Sequence, residues 1–545
     1  MRTICTLLLA LVGWFAITSD GFTAASDPVI ITVVFSNDVH GGIDRTKARF
    51  MNDEFPPPLG GGASAATIIQ ALRKQAKSQG HGFLLLDAGD FFSGSLIGSE
   101  TSGRAVIDYM NAVKYDALAI GNHEFDQGWE NLRSLVARAN FPALSANIVD
   151  DSTGELLDFL KPFIIKEING IRIAIFGLTT HSTPRASFPD NISGIRFIDE
   201  IKAGQKAIAA AKAQGAEFII GISHNGLPYS WEEGYKRLLE REAAGFPGEG
   251  VVNDMETARQ LPELDVLFSG HIHVGYREPW VDPVTHVPCF QNYGRGTGVG
   301  AVNLKIDRQT KKLIGWDTFA DDGALITLFE DEFPPDEEVD KMIKKESEVL
   351  EAVYQQTIGY TPITISRAGD GESPLGNLIT DSWREQFGAD LAITNTGGIR
   401  DEMPPGNIIL QHIFNVLPFG NSLVVMVVSG AFIKDLLENK IRSGRVGFAI
   451  SGVNMVIDMN RPEGDRITEI AIGAQSLEMA KSYQLVTTSY LREGNSSFDA
   501  LAEVGDDYVS YSGVLERDAL AQYIKRKGEV NPTMEGRIRV ITPTQ

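Results

Sequence analysis

Cysteine is almost absent: the 545 residues hold two, Cys5 and Cys289. Cys5 falls in the N-terminal segment described below, which leaves Cys289 alone and excludes an intramolecular disulfide framework. The stability of the fold must then come from a buried core, for which the chain is long enough. Cys289 itself reads as a small buried apolar residue. Basic residues are also in deficit, 49 Lys and Arg against 71 Asp and Glu, for a formal charge of −22. A chain so acidic repels polyanions, which argues against a nucleic-acid polymer as partner. An anionic substrate would need a local source of positive charge, and bound metal ions would supply one. Beyond the N-terminus no apolar run reaches the roughly 18 residues of a spanning helix, and the C-terminal GRIRVITPTQ carries no hydrophobic tail, so no stable membrane anchor is expected. Internal repeats and low-complexity tracts are lacking too.

What remains is ordinary for folded protein: 43% hydrophobic and 22% charged residues. The N-terminus combines Arg2, a mostly apolar run from Ile4 to Ile17, and the small residues Thr23 and Ala25. This is the pattern of a signal peptide over residues 1–25, cleaved after Ala25, and it implies export to the periplasm or the extracellular space. Residues 26–332 then alternate short β-branched runs with helical periodicity. Strands are expected at Val29 to Phe35, Phe83 to Leu86, Ala117 to Ile120, Ile171 to Phe176, Phe218 to Ile222 and Val266 to Phe268. Helices are expected at Ala63 to Gln79 and near Arg104 to Val113, and a closing hairpin at Val302 to Ile306 and Leu313 to Asp317. Such alternation points to a layered α/β domain. Phe333-Pro334-Pro335 breaks the chain, and the charged, periodic stretch Asp336 to Gln355 reads as a connector helix within a linker at 333–357. A second, smaller α/β domain is expected over 358–545, with a helix at Leu378 to Phe387 and strands at Leu391 to Thr394 and Leu423 to Val428.

Five segments of the first half share one design, an apolar strand followed by a tight turn with metal-binding residue types. ITVVFSNDVHGG carries Asp38 and His40, FLLLDAGDFFSG carries Asp90, and ALAIGNHEFDQG carries Asn122, His123 and Asp126. FIIGISHNG carries His224, and DVLFSGHIHVG carries His271 and His273. Only nine histidines exist in the chain and five of them sit in these turns. A lone loop histidine is ordinarily a satisfied surface or core residue, and a lone Asp after a strand is ordinarily a helix cap. Five such turns in succession make that reading improbable, because α/β sheets bind ligands at the carboxyl ends of their strands. Nitrogen and oxygen ligands without thiolate suit zinc, manganese, iron or cobalt rather than a structural zinc cluster. Two carboxylates facing two divalent cations leave an excess of about two positive charges, enough to hold a phosphate dianion.

These segments resemble, in order and spacing, the motifs of the calcineurin-like metallophosphoesterases, and with the second half the chain is similar to the exported 5′-nucleotidases. The resemblance implies a four-layer metallophosphoesterase sandwich and a two-metal site, with zinc or manganese the favoured ions. One metal would be held by Asp38, His40, Asp90 and His273, the other by Asp90, Asn122, His224 and His271, with Asp90 as the bridge. His123 and Asp126 match the family's catalytic dyad. The implied reaction is hydrolysis of nucleoside 5′-monophosphates or related nucleotides to nucleoside and phosphate, by attack of a water activated by the metals.

The second half carries NTGGIR, LPFGN and SYLREGNSSF. By resemblance, Asn395 and Arg400 would contact phosphate or base, and Phe419 and Asn421 would form one side of the base site with Tyr490 on the other. Phe419 and Tyr490 fit ordinary core aromatics as well. Two departures stand out. Where the family has an arginine three residues before the E-x-x-x-G-N glutamate, here Glu372, this chain has Gly369. The family's ribose-binding aspartate is replaced by Ser496. The same metal chemistry on another ester therefore stays open (a cyclic nucleotide, a sugar phosphate or nucleotide sugar, a sulfate-thiol ester), as does an exported binding protein without enzymatic activity.

Overall fold

The computed structural model describes residues 27–542 apart from 49–50, 53–54, 188, 247–251, 320–322, 368–370, 420 and 506–507. The signal-peptide segment and Gly369 lie outside the described residues.

The first domain is a four-layer sandwich. One mixed sheet runs in the order Leu313–Thr318, Gly298–Ile306, Val29–Ser36, Gly82–Asp87, Ala117–Ala119 and Ala143–Leu144, and Leu325–Thr327 also pairs with Gly298–Ile306. Its strands Val29–Ser36, Gly82–Asp87, Ala117–Ala119 and Ala143–Leu144 are parallel. The expected closing hairpin, Gly298–Ile306 with Leu313–Thr318, is antiparallel and extends the same sheet. The second sheet runs Trp280–Val281, Pro288–Gln291, Val266–Ser269, Phe218–His224, Ile171–Thr179 and Phe163–Ile168, parallel in the middle and antiparallel at both edges. Between the sheets lie Ile31, Val33, Phe35, Leu84 and Leu86 from one and Ile173, Ile175, Phe218, Ile220 and Phe268 from the other, all essentially inaccessible to solvent. Phe35 packs against Phe268 and Phe290 with ring centroids 4.9 and 6.0 Å apart. Each fully buried side chain of this size contributes about 1.5–3 kcal/mol. The opposite strand faces are covered by helices. Gly61–Gln79 and Arg104–Val113 lie on the first sheet, and Glu200–Ala213 and Asp254–Gln260 on the second. Strands buried on both faces read as continuous apolar runs, as these do.

The connector helix, Glu337–Tyr354, is N-capped by the Asp336 side chain, which accepts from Val339 N at 3.0 Å, and its first turn is acidic, as the helix dipole favours. Rather than spanning open solvent, it docks on the first domain. Val339 and Ile343 join that domain's core, and Arg104 pairs with Glu346. Only its end reaches the second domain, where Tyr354 packs edge-on against Phe414 at 5.1 Å.

The second domain is built on a five-stranded sheet ordered Phe448–Ser451, Leu391–Asn395, Ser482–Thr488, Ser422–Ser429 and Val509–Leu515. Helices Pro374–Phe387 and Glu516–Lys527 cover one face, with Trp383 fully buried among them. A four-stranded sheet and helix Gly430–Lys440 share the core on the other side. Glu372 is buried and accepts from Asn377 Nδ2 and from the backbone N–H groups of Glu535 and Arg537, so it ties chain segments together inside the domain.

Candidate active site

All five turns identified in the sequence meet at one end of the sandwich, three from the first sheet and two from the second. Five of the candidate ligands, Asp38, His40, Asp90, His271 and His273, have φ between 48° and 81°. Non-glycine residues rarely occupy this left-handed region, and the conformation costs on the order of 1–3 kcal/mol per residue. The turns are held there by cross-links. Asp38 N donates to Gly89 O, His40 N to Asp90 O, and His271 N to both carboxylate oxygens of Asp38 at 2.9 Å. Gly121 is required by a close approach, because a Cβ there would lie 2.2 Å from Asp90 Oδ1.

The side chains gather as two groups that share Asp90: Asp38, His40, Asp90 and His273, and Asp90, His224 and His271. Within each, one ligand atom per residue lies within 4.8 Å of every other. Asn122 adjoins them, and its Oδ1 is buried without a hydrogen-bond partner among the described residues. Asp38 and His224 are fully buried beneath the cleft floor, whereas His40, Asp90, Asn122, His271 and His273 line it.

The tautomers follow from the partners. His40 Nδ1–H donates to Ser93 O at 2.5 Å and His224 Nδ1–H to Ala88 O at 2.6 Å, since a carbonyl can only accept. Both Nε2 atoms are thereby turned toward the site as lone-pair donors to a cation. His40 Nε2 lies 2.9 Å from His273 Nε2, and His224 Nε2 lies 2.9 Å from Asp90 Oδ2. Electron-rich atoms brought this close require a proton or a cation between them. With the orphaned Asn122 oxygen, the donor set fits two divalent ions.

Burial pushes His40 down to about 3, with His273 adding to the effect, and His271 down to about 4, with His224 adding. Both are thus neutral, as ligation requires. Burial alone would raise Asp38 and Asp90, but His273 beside the first and His224 beside the second hold both ionised. Against burial, Asp90 in turn raises His224 to about 10, so a metal ion taken up there would replace the proton between His224 Nε2 and Asp90 Oδ2. For His123 burial is outweighed by Asp126 and Asp90, and its pKa rises to about 10. His123 Nδ1 lies 2.9 Å from Asp126 Oδ2, which also accepts from Ser93 Oγ. The ring lines the cleft with its other nitrogen unengaged by Asp126.

The cleft has a volume of about 1620 Å³ and its far wall belongs to the second domain. All five substrate residues expected there, Asn395, Arg400, Phe419, Asn421 and Tyr490, line it. Phe419 is half-buried and Tyr490 is 39% exposed, and neither belongs to a hydrophobic core, which removes the core-aromatic alternative. Asn421 is partly committed, because its Nδ2 donates to Glu516 Oε1 at 3.0 Å. Asn395 Nδ2 reaches Ser496 Oγ at 3.3 Å.

Several residues at the site escaped sequence reading. Glu124 accepts backbone N–H bonds from Asp90, Phe91 and Gly121, so it clamps two of the turns together. Asn37 Nδ2 donates to Asp38 Oδ2 at 2.7 Å. Both stand inside the quoted motifs, next to residues already singled out. Tyr229 and Arg295 also line the cleft, and nothing local in the sequence marks them.

Two family models match the chain. Residues 31–275 match the family model described as calcineurin-like phosphoesterase, and residues 352–503 match the 5′-nucleotidase C-terminal domain. A snake venom 5′-nucleotidase from Gloydius brevicauda is 28% identical over 97% of this chain and 92% of its own length. Protein UshA of Yersinia enterocolitica is 27% identical over 91% of each chain. Among solved structures, a 5′-nucleotidase precursor from Thermus thermophilus is 26% identical, with a TM-score of 0.71 over 94% of this chain and all of that one.

Proposed function

Since the chain belongs to the 5′-nucleotidase family, a calcineurin-like phosphoesterase domain followed by a 5′-nucleotidase C-terminal domain, we propose that it is an exported two-metal phosphomonoesterase acting on nucleoside 5′-monophosphates or close relatives. The observation that carries this reading is that two ligand groups sharing Asp90 open onto the same cleft as Phe419, Tyr490 and Arg400.

In this reading Asp38, His40, Asp90 and His273 hold one ion, and Asp90, Asn122, His224 and His271 the other. Zinc or manganese fits this donor set best, with cobalt or iron also compatible. Bound there, the two ions would supply positive charge to the phosphoryl group and make a water nucleophilic near neutral pH. The chain's own part is orientation and proton placement. Asp126 fixes the His123 ring through Nδ1, leaving the other nitrogen to donate toward phosphoryl oxygens as negative charge shifts in the transition state. Phe419 and Tyr490 offer aromatic faces for a nucleobase, and Arg400 a guanidinium for phosphate. Export rests on the N-terminal pattern, and no helix among the described residues is long and apolar enough to cross a membrane.

The test is a substrate panel of 5′-, 3′- and cyclic nucleotides, nucleotide sugars and p-nitrophenyl phosphate, run with zinc or manganese and with chelator. Chelator-sensitive phosphate release, fastest from 5′-monophosphates, is expected. Folded protein with no metal-dependent turnover of any ester would instead point to a binding protein.

A further inference from the structure

Arg295 of the first domain and Arg400 of the second line the same cleft. Arg295 lies in the loop between strands Pro288–Gln291 and Gly298–Ile306 of the first domain, and it lines the cleft. Its guanidinium carbon sits 4.4 Å from the centre of the Phe419 ring, and that of Arg400 sits 5.9 Å from the same ring. Two guanidinium groups from two domains thus converge on one aromatic side chain. Neither has a carboxylate within ion-pair distance among the described residues. Arg400 spends one N–H on Gly397 O at 3.0 Å, while the Arg295 guanidinium makes no hydrogen bond among the described residues.

The backbone under Arg295 is fixed to the metal-binding turns. Arg295 N donates to Asp38 O at 2.6 Å, and Arg295 adopts φ 67°. A Cβ on Gly296 would lie 1.9 Å from Gly42 O, and one on Gly42 would lie 2.2 Å from Arg295 O, so the two loops are pressed together. The side chain therefore projects from a scaffold that also positions Asp38 and His40. An unpaired, partly desolvated cation held like this is costly unless an anion completes it. Contact with the Phe419 ring stiffens the guanidinium without using its N–H donors.

We propose that Arg295 is a substrate-binding residue that, with Arg400 on the facing domain, holds the phosphate group of the substrate. The inference rests on the phosphoesterase reading above and adds an anion contact from the catalytic domain. It places specificity for a charged ester on both walls, so that tight binding of phosphate requires the two domains to approach.

The test is calorimetric binding of inorganic phosphate to the full-length protein loaded with zinc or manganese, for wild type, Arg295→Gln and Arg295→Lys, with adenosine as a neutral competitor. Loss of one charge-assisted contact should weaken phosphate binding roughly 10-fold or more in Arg295→Gln. Arg295→Lys should recover part of the affinity, and adenosine affinity should stay within about 2-fold of wild type. Unchanged phosphate affinity in Arg295→Gln would overturn the proposal. So would loss of adenosine affinity alone, which would make Arg295 a spacer for Phe419. Circular dichroism and metal content equal to wild type exclude misfolding as the cause. Phosphate binding is read without turnover, so absence of hydrolysis in wild type would count against the phosphoesterase reading and not against this one.

Discussion

The backbone N–H of His123 donates to Asp90 Oδ1 at 2.8 Å. One carboxylate thereby touches both halves of the proposed chemistry. Its other oxygen faces His224 in the ligand cluster, while this one fixes the start of the turn that carries His123 and Asp126. The His123 side chain can be removed without removing that backbone contact, which separates catalysis from metal binding experimentally. His123→Ala is expected to lower turnover by roughly 100-fold or more, with metal content unchanged. Steady-state kinetics alongside elemental analysis checks this; a variant that loses its metals would make His123 a ligand.

Glu124 is the buried clamp behind that turn, accepting from three backbone N–H groups. Glu124→Ala orphans all three donors, and the expected loss of stability is at least about 2 kcal/mol. Urea unfolding of the metal-free protein measures it. A midpoint equal to wild type would mean that water or rearrangement satisfies these groups.

The two aromatic side chains of the far wall should separate base recognition from phosphate chemistry. Tyr490→Ala and Phe419→Ala are each expected to raise KM for AMP by about 10-fold, the size of one lost stacking contact. KM for p-nitrophenyl phosphate should change far less in Tyr490→Ala. Equal effects on both substrates would indicate that these residues shape the cleft rather than read the base.

Burial pushes Glu516 up from its ordinary 4.5 to about 8, against the lowering effects of Asn421 and Arg517. The folded state therefore keeps a proton that the unfolded chain has released. Its contribution to stability is full below about pH 4.5 and is lost as pH rises through 8. Glu516→Gln cannot ionise, so its stability relative to wild type should rise across that window. Denaturation curves at several pH values test this, and parallel profiles for the two proteins would contradict it.

The elements of the first domain were legible because its strands are buried on both faces and read as uninterrupted apolar runs, as in Val29–Ser36 and Phe218–His224. The turns that carry the candidate ligands were legible because strand, glycine and a potential ligand stand together in the chain. The distribution of strands over two sheets is not written locally, since Gly82–Asp87 and Phe218–His224 have the same apolar character yet belong to different layers. Arg295 and Tyr229 were invisible for a related reason. Their significance comes only from the second domain closing over them, a contact between segments more than a hundred residues apart. The connector helix was legible as a helix but not as a docked one, because its apolar stripe of Val339 and Ile343 names no partner.

The central claim is a pair of cations sharing Asp90, and metal stoichiometry tests it most directly. Wild type should hold two equivalents of zinc or manganese per chain and lose activity with them. His271→Ala should fall toward one equivalent, and Asp90→Asn below one. A folded wild-type protein that binds no transition metal, or one whose two equivalents survive Asp90→Asn unchanged, would contradict the account.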